Sequence, residues 1–200
     1  MRGIVVQKFS THGMWIASGD SSGVIKIWDM AACKMLAELR GHSASILDIQ
    51  FHPKVMLMAS SGADGSVCFW ELERFSLLGS TGPQATTVPN GKNTGVINGN
   101  ACSNATTVAD VGPVNRIQFH PNGHQLIACG RDKYLLYYFD DRVELQSMSE
   151  QQFGLARDLA INKEGLIVAS YFSNCISLHQ IKWQNLSETP HVERQNSADR

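Results

Sequence analysis

The feature that most constrains this chain is that it repeats itself every 42 residues. Shifting the sequence by that amount lays Phe9 on Phe51, Ala17 on Ala59, Ser18 on Ser60, Gly23 on Gly65, Ile25 on Val67, Trp28 on Trp70 and Leu36 on Leu78. A third copy follows after 26 inserted residues: Ile49-Gln50-Phe51-His52-Pro53 returns as Ile117-Gln118-Phe119-His120-Pro121, Gly62 as Gly130, Asp64 as Asp132 and Trp70 as Tyr138. One more step of 42 carries Ile117 to Leu159, Phe119 to Ile161, Gly123 to Gly165, Leu126 to Val168 and Leu136 to Leu178, a fourth and degenerate copy. A unit this short cannot bury its apolar face alone, so the copies must stack on one another.

Within each copy a short alternating apolar run is followed by a turn, a run rich in Ala and Ser, a Gly/Asp turn, and a run that ends in an aromatic residue. This is the period of strands, not helices. In the second copy the expected strands are Ile46–Phe51, Leu57–Ser61 and Ser66–Trp70, with an outer strand over Ser76–Leu78 and with Pro53, Gly62 and Gly65 in the turns. Four short strands in a repeat of about 40–45 residues make a propeller blade. The expected fold is therefore all-β, about four blades of an incomplete β-propeller. Residues 1–78 hold the first two blades, 79–111 an insertion, 112–183 the third and fourth blades, and 184–200 a flexible linker or tail. The insertion is rich in Gly, Asn, Thr, Ser and Ala, almost uncharged and free of aromatic residues, so it is expected to be disordered.

Gly41-His42 opening a repeat, Trp28-Asp29 closing one, and an aspartate six residues ahead of Trp70 resemble the WD-repeat family. That resemblance implies a structural tetrad of histidine, strand serine, turn aspartate and tryptophan, which the second copy supplies in full as His42, Ser60, Asp64 and Trp70. An imidazole bridging carboxylate and hydroxyl would satisfy buried polar groups and pin the loop before the first strand to the turn after the second. The first copy keeps Ser18 and Trp28 but has Ser22 at the aspartate position. The third keeps Asp132 but has Ala128, Tyr138 and Asp110 elsewhere in the set, and the fourth has Ser170 and Asn174.

Four passages are also similar to the WD-repeat regulatory subunits of katanin, the microtubule-severing complex. They are Gly41–Pro53, the blade close from Phe69 to Phe75, Gly112-Pro113-Val114 with Phe119–Gly123, and Ala156-Arg157-Asp158-Leu159-Ala160-Ile161. This second resemblance covers roughly 3–181 without the insertion. It implies the C-terminal half of that propeller, a non-catalytic regulatory and targeting role, and a place on microtubules, at centrosomes or at spindle poles. It implies two partners, tubulin and the AAA ATPase subunit. The family carries further blades ahead of this stretch and a helical domain after it that grips the ATPase. The chain is therefore expected to be a fragment or truncated form, with the ATPase contact lying in a region it lacks.

Composition and motifs narrow the alternatives. Lys plus Arg number 17 against 18 Asp plus Glu, a net charge of −1, which gives no bulk reason to expect nucleic acid or an anionic membrane as partner. Apolar stretches such as Leu135–Phe139 fall far short of the roughly 20 residues that span a bilayer, and no secretory pattern opens the chain, so it reads as cytoplasmic. Five cysteines without a C-x-x-C argue against a disulfide framework and a zinc site. The phosphate loop, nucleophile elbow, zincin and dinucleotide signatures are all missing. No catalytic, cofactor or metal residue is assigned. His52 and His120 fall before prolines in equivalent turns, and His12, His124, His179 and His191 share no ligand spacing. Loops before the first strand and after the second open on one propeller face, which places Arg40, Arg116, Arg131 and Lys133 where they could meet acidic tubulin. A generic WD adaptor, such as a ubiquitin-ligase substrate receptor, is the competing reading. Many such receptors carry W-D-x-R, where this chain has Trp28-Asp29-Met30-Ala31 and Trp70-Glu71-Leu72-Glu73.

Overall fold

The structure, a computed structural model, describes residues 3–81, 96–97, 100–101, 112–130, 133–139, 145–152, 156–164, 166–171 and 176–180. The described residues form four antiparallel sheets, one per sequence copy. The first sheet is β1 (Ile4–Phe9), β2 (Trp15–Asp20), β3 (Val24–Asp29) and β4 (Lys34–Arg40), in that spatial order. The second is β5 (Ile46–Phe51), β6 (Leu57–Gly62), β7 (Val67–Glu71) and β8 (Ser76–Thr81), extended by the two-residue strands β9 (Val96–Ile97) and β10 (Asn100–Ala101). The third is β11 (Arg116–Phe119), β12 (Gln125–Cys129), β13 (Lys133–Phe139) and β14 (Leu145–Gln152). The fourth holds β15 (Ala156–Ile161), β16 (Leu166–Tyr171) and β17 (Ile176–Gln180). The first strands lie side by side from sheet to sheet, β1 by β5, β5 by β11 and β11 by β15, which is the arrangement of propeller blades about an axis.

Stacking explains the composition of each strand. The second strand of an inner blade has sheet neighbours at its edges and another blade on each face. β6 (LMASSG) and β12 (QLIAC) are accordingly buried at every position, and small Ala and Ser side chains let the sheets approach. The outer strands β4 and β8 are largely exposed or half-buried, and their sequences are correspondingly mixed. Two apolar clusters weld the blades. Ala17, Ile25, Ile27 and Leu39 of blade 1 pack on Ile46, Met58, Trp70 and Leu72 of blade 2. Leu57, Ala59, Val67 and Phe69 on the other face of blade 2 pack on Val114, Ile117, Phe119 and Leu126 of blade 3. Each fully buried large side chain of this kind contributes roughly 1.5–3 kcal/mol.

One expected boundary needs correction. The insertion was placed from residue 79, but β8 continues to Thr81, with Gly79 opposite Phe69 and Thr81 opposite Val67. Backbone pairing along β7 does not require apolar side chains, so a Gly-Ser-Thr run can complete the ladder. Inside the same segment Gly79 pairs with Ile97, and β9 pairs with β10, so these residues are strand rather than disordered. Residues 82–95, 98–99 and 102–111 of the insertion, and the tail 184–200, lie outside the described residues.

The repeat extends to irregularities. Bulges interrupt the first strand at Ile4/Val6, Ile46/Asp48 and Ala156/Asp158, equivalent places in three copies. Cys33 and Phe75, also equivalent, both adopt a left-handed backbone with φ of 52°. Phe75 sets its ring 5.6 Å from that of Trp15, whereas Cys33 is exposed. A left-handed non-glycine residue costs roughly 1–2 kcal/mol, part of which glycine returns as unfolded-state entropy. Cys33→Gly is therefore expected to stabilise the chain by about 0.5–1 kcal/mol, measured as the shift in urea midpoint at unchanged slope.

Candidate functional site

The polar centre of blade 2 is built from the loop after β4, the middle of β6, the β6–β7 turn and the end of β7. Trp70 Nε1–H donates to Ser60 Oγ at 2.8 Å, and the same oxygen lies 2.8 Å from His42 Nε2. His42 Nδ1 is 3.1 and 3.2 Å from the two oxygens of Asp64. The Asp64 carboxylate also accepts the backbone N–H of Ser43 at 2.7 Å, the N–H of Ser66 at 3.0 Å and the hydroxyl of Ser66 at 2.6 Å. The His42 and Asp64 side chains are 0% and 4% exposed. Two glycines make room for them. A Cβ on Gly62 would come within 2.6 Å of both Asp64 Oδ1 and His42 Nδ1, and one on Gly41 would come within 2.7 Å of the Trp70 ring.

Burial alone would push the His42 pKa down, but hydrogen bonding to Asp64 and the neighbouring Cys68 reverses this and raises it to about 9. For Asp64, burial works upward and is outweighed by the hydrogen bonds from His42 and Ser66, which hold its carboxyl well below the usual range. Both directions describe one buried ion pair that joins the β4–β5 loop to the β6–β7 turn. With the imidazole charged, the pair is a fastener rather than an acid–base couple open to a substrate.

The other copies use parts of this arrangement. In blade 1, Trp28 Nε1–H donates to Ser18 Oγ at 2.9 Å. Ser22 stands at the aspartate position, yet the turn still has a carboxylate: Asp20 Oδ1 accepts from Ser22 N, Ser22 Oγ and Val24 N at 2.8, 2.7 and 3.1 Å. Asp20 stands two residues ahead of the position that Asp64 fixes in the repeat, so the 42-residue period alone does not point to it. Asp132 and Asn174 lie outside the described residues, as does the expected Asp110.

Three further residues join the blades and were legible only through the repeat. Asp48, Arg116 and Asp158 occupy equivalent positions on β5, β11 and β15. Buried Asp48 accepts from Ile49 N at 2.8 Å and from Ile117 N of the next blade at 3.1 Å, with Arg116 Nη1 at 3.6 Å. Arg116 Nε pairs with Asp158 at 3.1 Å. Burial raises the Asp48 pKa against the pull of these donors and of Arg116. At the opposite end of the strands, Thr11 donates to His52 O at 2.8 Å and His52 Nε2–H donates to Gly123 O at 2.9 Å. The His52 ring stands edge-on to Phe119 with centroids 5.0 Å apart, and burial lowers its pKa. His52 is thus a neutral staple across blades 1, 2 and 3.

The basic residues expected on one face divide. Arg40 ends β4, exposed, with its guanidinium on Glu38. Arg116 is held between two aspartates, so its charge is largely spent inside the fold. Lys133 opens β13 opposite Gln152. Arg131 lies outside the described residues. Among the described residues no three His, Cys, Asp or Glu gather as a metal site, and no helix is long and apolar enough to cross a membrane. Cys68 and Cys129 are buried free thiols, and burial raises that of Cys129 to about 12.

A family model described as WD domain, G-beta repeat matches residues 3–29, 33–71 and 103–138, just over half of the chain. The chain belongs to the WD40-repeat family. Its relatives include transducin beta-like protein 3 of Bos taurus, 32% identical over 65% of this chain and 13% of that protein. Another is small ribosomal subunit protein RACK1 of Caenorhabditis elegans, 23% identical over 83% of this chain and 46% of the relative. WD repeat and HMG-box DNA-binding protein 1 of Xenopus laevis is 38% identical over 32% of this chain and 6% of its own length. The chain thus spans less than half the length of each of these WD40 relatives.

Two predictions follow from the WD40 geometry. Because the folded-state pKa of His42 is raised to about 9, its contribution to stability is complete below pH 6.5 and is lost as pH climbs through 9. Thermal unfolding from pH 6 to 10 is expected to show a falling Tm over that window, and Asp64→Asn, destabilising by about 1–3 kcal/mol at neutral pH, should flatten the slope. Arg116→Ala leaves Asp48 buried with only its backbone donors, and should cost about 1–2 kcal/mol in denaturant titration.

Proposed function

We propose that this chain is a protein-interaction platform of WD blades that serves as the regulatory and targeting part of a katanin-type microtubule-severing complex. The platform reading is supported by the way the blades spend their chemically versatile side chains. His42, Ser60, Asp64 and His52 are committed to internal hydrogen bonds, which leaves the inter-strand loops as the surface that can differ between family members. The finer reading rests on one observation. The resemblance to katanin subunits extends into copies three and four, at Gly112-Pro113-Val114 with Phe119–Gly123 and at Ala156–Ile161, where the tetrad positions have decayed.

In this role the chain hydrolyses nothing; the energy for severing comes from the partner AAA ATPase. The chain works in the cytoplasm, on microtubules, by bringing that ATPase and tubulin together. Arg40 supplies part of the tubulin contact, weakly and with strong salt sensitivity, as an exposed charge must. A second reading, a generic adaptor for other assemblies, is favoured by the variety of the relatives, which extend from a ribosomal subunit protein to an HMG-box DNA-binding protein.

Co-sedimentation of the purified chain with taxol-stabilised microtubules, with and without the katanin ATPase, tests the proposal. Binding that weakens several-fold between about 50 and 200 mM salt, weakens further in Arg40→Glu, and recruits or stimulates the ATPase is expected. Absence of binding together with unchanged severing would overturn the katanin role and leave the adaptor reading.

A further inference from the structure

We propose that Ser43 is a phosphoacceptor site for a protein kinase that selects an arginine three residues ahead of its target, and that a phosphate there loosens the His42–Asp64 fastener of blade 2. Ser43 lies in the connection 41–45 between β4 and β5, outside any strand, so a kinase can draw this segment out without breaking a sheet ladder. Ser43 is exposed, although His42 before it is buried. Arg40 stands three residues ahead with its side chain 66% exposed, so both groups that such an enzyme reads face solvent. The serines Ser21 and Ser76, also exposed, have Ser18 and Glu73 at that place. The repeat does not call for a hydroxyl here, since the matching positions of copies three and four are Val111 and Phe153. A hydroxyl that the fold does not need is available for another use.

What sets this serine apart is the group beside it. Ser43 Oγ is 3.5 Å from Asp64 Oδ2, and the Ser43 N–H donates to that same oxygen at 2.7 Å. Asp64, its side chain 4% exposed, is the counter-charge of His42. In the transfer, Ser43 Oγ attacks the terminal phosphorus of a nucleoside triphosphate and the bond from that phosphorus to the bridging oxygen breaks. The nucleoside diphosphate leaves with the electron pair, and the hydroxyl proton goes to a base on the kinase. A neutral hydroxyl is thereby replaced by a group of charge about −1.5 to −2 at neutral pH. The buried carboxylate beside it is repelled in surroundings that screen poorly. The neighbouring cations are His42 and Arg40. A phosphate that turns to His42 takes the counter-charge of Asp64, and one that turns to Arg40 displaces Glu38 and draws Ser43 away from Asp64. Either way the turn that Asp64 holds together, through the N–H groups of Ser43 and Ser66, is loosened.

Treating the folded full chain with ATP and an activated calmodulin-dependent protein kinase, which selects arginine at that place, tests the proposal. Mass spectrometry of the tryptic peptide 41–54 locates the phosphate, and fragmentation separates Ser43 from Ser45. Incorporation at Ser43 is expected, slowed by about tenfold or more in Arg40→Ala through the lost charged contact with the kinase. Ser43→Ala keeps the backbone N–H that Asp64 uses, so it should abolish incorporation at this site and leave Tm unchanged. In the phosphorylated chain the Ser66 amide, which donates to Asp64, is expected to exchange about tenfold faster, with Tm lower by a few degrees. Phosphate on a synthetic peptide 38–48 but none on Ser43 of the folded chain would overturn the site. Incorporation that Arg40→Ala leaves unchanged would overturn the kinase class. Phosphate at Ser43 with unaltered Ser66 exchange and Tm would overturn the link to the fastener.

Discussion

The second strands of blades 2 and 3, β6 and β12, are buried on both faces, and most of the structure follows from that. Such a strand cannot alternate apolar and polar like one in a half-exposed sheet, because neither of its faces reaches water. β6 therefore runs Leu-Met-Ala-Ser-Ser-Gly with every residue buried. Small residues are needed for close approach, and serine is small, but its hydroxyl then needs a partner. The Trp70 indole and the His42 imidazole provide one for Ser60. The imidazole in turn needs a counter-charge, and Asp64 supplies it from a turn whose own N–H groups the carboxylate also accepts. The tetrad is the result of burying a serine, carried outward until each polar atom is satisfied.

The same reasoning orders what was legible in the sequence. Positions fixed by the 42-residue period came through: the number of blades, the second-strand composition, and the set His42, Ser60, Asp64 and Trp70 as candidates for one constellation. Features that depend on backbone pairing did not. β8 reaches Thr81 because β7 offers a ladder there, and nothing in Gly-Ser-Thr announces it. Asp20 was missed because a carboxylate two residues earlier reaches the same turn N–H groups by a different local path. Asp48, Arg116 and Asp158 could have been found by asking which polar residues recur at one repeat position, since alternating charge on adjacent first strands implies pairing.

Arg116 shows why composition misleads about binding surfaces. By loop geometry it belonged to a basic face, and its guanidinium is indeed half-exposed. Yet it lies between two carboxylates, one of them buried, so removing it would disturb the joint between blades 2, 3 and 4 before it disturbed any partner. Arg40, exposed and paired among the described residues with Glu38 on its own strand, can exchange that partner for another at little cost.

Loss of the full tetrad from blade 1 is tolerable for a related reason. A blade can be held from within, by His42 and Asp64, or from its neighbours. Blade 1 lacks the internal ion pair but packs Ala17, Ile25, Ile27 and Leu39 against blade 2, and Thr11 on its rim donates to His52. Blade 2 has the complete tetrad and is also gripped on both faces, through the two apolar clusters, Asp48 and His52. Stability in a repeat array is a sum of terms within units and terms between neighbours. A central blade with both can support flanking copies whose internal terms have decayed. The residues free to change are then those that serve neither term, on the loops and on the exposed strand β4, and these are the positions at which a binding platform acquires its partner.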